Sequence, residues 1–298
     1  TTRLVGSEMC IRDRVLPAQT TLVDIKGNSV TAGAVLTQTQ TSATGMFLAI
    51  IATLISVTLL NKFSKNDKLK IKMHESVPPS IARSFNVLIP AFLVTTIIGL
   101  VEVLVVWLLH TDIPALIERF FQAPLLASFQ SLGGVLIYVF LSNLLWAFGL
   151  HGTFILGSIG EPVMLTAIQQ NMDALKKGTE LPNIVTKPFL DCFGWMGGGG
   201  MLFCLVIAIL IASKREDYRS ITKVGLIPSA FNVSEPLMFG LPVVFNPLLA
   251  VPLIVVPMIT TTIAYVATSV GLIAKTSALI PWTTPPILSG YLATNGCL

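Results

Sequence analysis

Charge is what this sequence has least of. Only 11% of its 298 residues are Asp, Glu, Lys or Arg, where a soluble domain carries about 25%. The side chains needed to cover a water-facing surface are missing, which excludes an ordinary soluble enzyme. The four cysteines, Cys10, Cys192, Cys204 and Cys297, share no paired or metal-ligand spacing, so neither a disulfide framework nor a metal site is expected. Cys192 and Cys204 lie in or beside an apolar run and read as small buried hydrophobes. No Walker motif or phosphate-cradling glycine loop occurs, and no cofactor is expected.

What the sequence has is apolar length. Hydrophobic residues make up 53% of the chain, and the mean hydropathy is +0.79. These values predict an all-α polytopic membrane protein, because lipid offers no partner for unpaired backbone groups and a span needs about 20 apolar residues. Spans are expected at 44–60, 84–109, 124–150, 193–212 and 247–273. Between the first two lie Lys62, Lys65, Lys68, Lys70, Lys72 and Arg83 against Asp67 and Glu75, a cytoplasmic loop by the positive-inside rule. The net charge of +4 comes mostly from such short loops, so nucleic acid is not an expected partner.

Two apolar segments are interrupted. Residues 151–168 contain Gly152, Gly157, Gly160 and Pro162, with Glu161 among them. Residues 230–244 contain Pro236, Gly240 and Pro242, with Glu235 among them. Both are expected to be re-entrant hairpins flanking a substrate site, since broken backbone at membrane depth is tolerated only where protein or a wet cavity satisfies it. Residues 280–292, rich in proline, are a candidate third. The run Gly197–Gly200 opens the 193–212 span and permits close helix approach.

Ionisable groups inside a membrane cost about 2.5 kcal/mol or more, so each is a functional candidate. Glu102, His151, Glu161 and Glu235 qualify. Glu102 reads as structural at least as readily, His151 as an interfacial histidine, and Glu161 as a helix-terminal cap. Glu235 is the sharpest: with Asn232 and Ser234 it makes a polar cluster before Pro236, suited to a neutral solute rich in hydroxyls. Trp107 and Trp195 fit an interfacial belt. Trp146 and Trp282 flank the proposed site, either stacking on a sugar ring or filling the core.

Four motifs then stand in order: WAFGLHG (146–152), TKPFLD (186–191), FNVSEPLMFGLPVVFNP (231–247) and PWTTPP (281–286). Together with MHESVPPSIARSF (73–85), they resemble the lactose/cellobiose-type IIC (permease) subunit of the bacterial phosphotransferase system, over residues 43–295. The resemblance implies a multi-pass subunit of the bacterial plasma (inner) membrane, homodimeric and in contact with lipid, with two re-entrant hairpins in its helical bundle. It implies translocation of a (di)saccharide of the cellobiose/lactose/chitobiose type, whose 6-hydroxyl is phosphorylated by the phosphocysteine of a separate IIB protein, itself served by IIA. The chain would thus be a transport component, not catalytic on its own. Matched residue by residue, His151 and Glu235 would sit near that hydroxyl, Trp146 and Trp282 would line the sugar rings, and Asn232 would assist. The alternative is an ion- or proton-coupled transporter of another family, with Glu235 and Glu161 as relay groups.

The ends are read as incomplete. Residues 1–14 (TTRLVGSEMCIRDR) lack apolar periodicity and are expected to be foreign or disordered. Residues 15–123 are expected to be part of an N-terminal scaffold and dimerisation domain, and 124–298 a C-terminally incomplete sugar-binding domain.

Overall fold

Helices carry most of the fold. The computed structural model describes residues 19–23, 29–33, 45–71 and 79–296; the segment 1–14 lies outside the described residues. The chain divides into two units, Thr1–Gln122 and Ala123–Leu298.

In the first unit β1 (Gln19–Val23) and β2 (Ser29–Gly33) pair antiparallel, Gln19 opposite Gly33 and Val23 opposite Ser29. This hairpin departs from the all-α expectation, and Thr20, Thr21, Val23, Val30 and Thr31 are β-branched and favour extended backbone. α1 (Met46–Ser64) is long and apolar enough to cross a bilayer; its 19 residues rise roughly 28 Å. A turn at Asp67–Leu69 follows, capped by the Asn66 side chain and closed by a Lys70–Asp67 ion pair of 2.6 Å. α2 (Pro79–Asn86) leads into α3 (Leu88–Leu109), and Ser84–Leu109 is a second spanning stretch. Glu102 is engaged by a helix start within this unit. Its carboxylate accepts the Ile113 N–H at 3.3 Å, serving one of the orphan amides that open α4 (Ile113–Ile117).

The second unit departs from the expected spans in instructive ways. No single span runs from 124 to 150: the helical stretch ending with α5 (Ala123–Gln130) turns through 92° into α6 (Leu132–Ala147). Ser131 makes the break, its extended backbone stopping one helix while its Oγ accepts the Gly134 N–H at 3.0 Å and caps the next.

The expected hairpin at 151–168 is instead one uninterrupted helix, α7 (Gly152–Lys177). Gly152 and Gly160 serve close packing rather than breaking the helix. A methyl group on Gly152 would overlap the Ser142 carbonyl, and one on Gly160 would meet the Tyr138 ring at 2.6 Å, so both let α7 lie against α6. Pro162 costs about 3 kcal/mol inside a helix, yet Val163, Met164 and Ile168 beside it are fully buried and hold the helix across it.

The expected full span at 193–212 is also shorter. α8 (Lys187–Phe193) ends at Gly194, and helix resumes only at Gly199–Met201 and α9 (Leu202–Ala212). Gly197, Gly198 and Gly200 all have positive φ, a conformation that only glycine adopts freely. The break at 230–244 is present: α10 (Glu216–Ala230) gives way to a turn, then to α11 (Glu235–Gly240). α12 (Pro247–Ser269) is the third helix able to span by length and composition. The proline-rich 281–286 forms turns before α13 (Leu288–Ala293).

Two apolar clusters form the core of this unit. Trp146, Leu202, Val206, Leu237, Met238 and Leu253 belong to one; Val135, Val139, Met164, Phe189, Leu190 and Trp195 belong to the other. α6 contributes to both.

Candidate functional site

A cavity of about 190 Å³ opens within the second unit. All five residues singled out for binding, Trp146, His151, Asn232, Glu235 and Trp282, line it, with Tyr138, Phe154, Glu161, Lys187, Asp191 and Trp195. Glu102, the remaining candidate from the sequence, lies elsewhere in the chain.

His151 reaches the cavity because it caps α7. Its Nδ1 accepts the Phe154 N–H at 3.2 Å and lies 3.1 Å from Thr153 Oγ1. A ring nitrogen that accepts from a backbone amide carries no proton, so the neutral imidazole holds its proton on Nε2. Nε2 points at Glu235, 3.5 Å from Oε1. Phe154 and Trp146 flank the ring at centroid distances of 3.9 and 4.2 Å. Glu235 is the first residue of α11, after the Ser234 N-cap and before Pro236, an end of the helix where the dipole favours a carboxylate. At 3.5 Å the two groups attract without a full hydrogen bond, and both retain capacity for a third polar atom.

A second polar group comes from the TKPFLD motif. Thr186 caps α8 by accepting the Phe189 N–H, and Pro188 suits the first turn. One helical turn then places Lys187 and Asp191 together, Nζ 2.6 and 2.8 Å from the two carboxylate oxygens. Glu161 Oε1 stands 4.0 Å from the same ammonium, so Glu161 joins a charged group rather than capping a helix. The i,i+4 spacing of Lys187 and Asp191 was visible in the sequence, but nothing there said that it faced a cavity.

The tryptophans separate. Trp146 is 2% exposed, backing His151 on one side and touching Gly199 on the other, where a methyl group would come within 2.5 Å of Nε1. Its burial fits the core-filling reading. Trp282 is 53% exposed and offers a free ring. Trp195 is buried against Tyr138 at a centroid distance of 6.4 Å, not in an interfacial belt, because the broken backbone after α8 turns it inward. Cys192 is buried as expected, whereas Cys204 is exposed on the apolar α9. Among the described residues no group of three or more His, Cys, Asp or Glu is arranged to hold a metal ion.

The profile of the family described as "Phosphotransferase system, EIIC" matches residues 13–257. The oligo-beta-mannoside-specific EIIC component of Bacillus subtilis (strain 168) is 39% identical over 258 residues, 86% of this chain and 58% of that protein. The cellobiose-specific EIIC component of Geobacillus stearothermophilus is 33% identical over 255 residues, 85% of this chain and 56% of its own. The chain thus spans less than two thirds of the length of these curated relatives. Among solved structures, the transporter ChbC, the IIC component of the N,N'-diacetylchitobiose-specific phosphotransferase system, superposes with a TM-score of 0.89 at 33% identity, covering 98% of this chain and 68% of that one. The chain belongs to the phosphotransferase system EIIC family of integral membrane sugar permeases.

Proposed function

We propose that this chain forms the sugar-binding part of a IIC permease subunit, which carries a neutral di- or oligosaccharide across the membrane and presents it to a IIB phosphocysteine. The observation that carries the reading is the His151–Glu235 pair, 3.5 Å apart on the wall of a cavity also lined by the exposed ring of Trp282. A sugar hydroxyl between them would donate to Glu235 and accept from the Nε2 proton of His151. That arrangement orients the oxygen for attack and gives its proton a carboxylate acceptor. Trp282 would stack on the apolar face of a sugar ring. Lys187, Asp191, Glu161 and Tyr138 would supply donors and acceptors to further hydroxyls. Relatives named for cellobiose, oligo-beta-mannoside and N,N'-diacetylchitobiose support this substrate class. The phosphate would come from IIB, recharged by IIA, and the subunit would work as a homodimer through its N-terminal part.

The test is sugar uptake by the full-length gene product in cells with and without its IIB protein. Intracellular sugar is expected only as the phosphate, and only with IIB. Accumulation of unphosphorylated sugar driven by a proton gradient would instead identify a coupled transporter.

A further inference from the structure

Asn232 stands in the turn between α10 and α11 at φ 63°, a left-handed conformation that Asn tolerates better than most residues. Its side chain is almost fully committed. Oδ1 accepts the Gly197 N–H at 2.7 Å. The two hydrogens of Nδ2 go to the carbonyls of Trp282 and Thr284, at 2.6 and 3.1 Å. One amide group thus joins three non-helical segments: the glycine loop, its own turn, and the proline-rich loop bearing Trp282.

The chemistry of that loop explains the choice. Pro281, Pro285 and Pro286 have no N–H, so the segment presents carbonyls with few donors to match. The other hydrogen bonds within it, from the Thr284 N–H and Oγ1 to the Pro281 carbonyl, are internal. Among the described residues, the Ser289 N–H donates to the Pro285 carbonyl at 3.0 Å as the chain enters α13, and the side-chain hydrogen bonds reaching 281–286 from elsewhere come from Asn232. Aspartate would keep the acceptor for Gly197 but oppose two carbonyls with a charge.

We infer that Asn232 is a positioning residue that holds Trp282 over the cavity, rather than a group that binds sugar directly. The inference rests on the reading of the cavity as a sugar site. It assigns sugar affinity to Asn232 through Trp282, with no donor left on Nδ2 for the ligand.

The test is a double-mutant cycle on the full-length protein in membranes, reading equilibrium binding of labelled cellobiose and N,N'-diacetylchitobiose. Asn232→Asp should weaken binding about tenfold, the worth of two modest hydrogen bonds. In a Trp282→Ala background the same change should alter affinity less than about twofold, because its route of action is gone. Additive losses would mean that Asn232 meets the sugar itself and would overturn the inference. Asn232→Gly, which keeps the left-handed backbone, should behave as Asn232→Asp does.

A readout without sugar keeps the inference testable on its own. Hydrogen exchange across 283–288 should quicken in Asn232→Asp, and unchanged exchange there would overturn the tether. Glu235→Gln is measured alongside. Weakened binding in that variant, with no coupling between Asn232 and Trp282, would leave the sugar site standing and remove only the role given to Asn232.

Discussion

His151 and Glu235 meet at 3.5 Å because two helix starts face one another: His151 caps α7 and Glu235 opens α11. The His151 ring is fixed by its Nδ1 cap, which leaves Nε2 toward Glu235 and the cavity. Such a pair gives a hydroxyl one donor and one acceptor without a conformational change.

Replacing Glu235 by Gln keeps its shape and removes its charge. If the carboxylate accepts from a sugar hydroxyl, binding should weaken by about 1.5–3 kcal/mol. Assistance in proton removal should lower IIB-dependent phosphorylation further, by a factor of about 100 or more. Equilibrium binding and phosphorylation in membranes separate the two effects. Unchanged values for both would reduce Glu235 to a brace for α11.

The Lys187–Asp191 pair predicts a stability effect. Asp191 is buried, and its charge is matched by an ammonium within 2.6 Å. Lys187→Met would strand that carboxylate and should cost about 3–5 kcal/mol. Adding Asp191→Asn should restore much of the loss. Thermal unfolding of the solubilised full-length protein checks both, and a double variant no more stable than Lys187→Met would contradict the pairing.

How far the sequence could be read depends on which physical signal each element leaves. Apolar length revealed α1, α3 and α12, because a lipid-spanning helix must show it. Glycine proved ambiguous. Gly152 and Gly160 promised a broken hairpin yet serve close contact with α6, while Gly197, Gly198 and Gly200 do bend the chain. Sequence spacing cannot separate a missing Cβ used for packing from one used for a turn; only the facing residue decides. The motif residues His151, Glu235 and Trp282 were legible as polar or aromatic groups beside breaks. Trp195, Tyr138 and Lys187 were not, since the chain reversals that bring them to the cavity leave no local mark. Asn232 was legible as a member of the site, but its commitment to three backbone groups depends on loops far away in sequence.

Gly199 and Gly133 test the packing half of that distinction. A methyl group on Gly199 would press on Trp146, the residue backing His151, whereas one on Gly133 meets nothing within 4 Å. Gly199→Ala should destabilise by about 1–3 kcal/mol through overpacking and should weaken sugar binding as the His151 ring is displaced. Gly133→Ala should be neutral or stabilise by about 0.5–1 kcal/mol, the usual helical gain over glycine. Thermal unfolding of both variants, with binding measured for Gly199→Ala, decides the matter. Equal effects would mean that the close contact with Trp146 is not a constraint.

His151 has two duties that different substitutions can separate. Nδ1 caps α7 through the Phe154 N–H, and Nε2 faces Glu235. Alanine removes both functions and should cost about 0.5–2 kcal/mol of stability for the lost cap, together with sugar affinity. Asparagine is among the best N-cap residues, so His151→Asn should recover most of that stability. It ends short of the Nε2 position and cannot present a donor beside Glu235. Its binding and IIB-dependent phosphorylation should therefore stay low while its melting temperature returns toward the wild-type value. Should activity recover together with stability, His151 would be a helix cap alone, and the pairing with Glu235 would carry no chemistry.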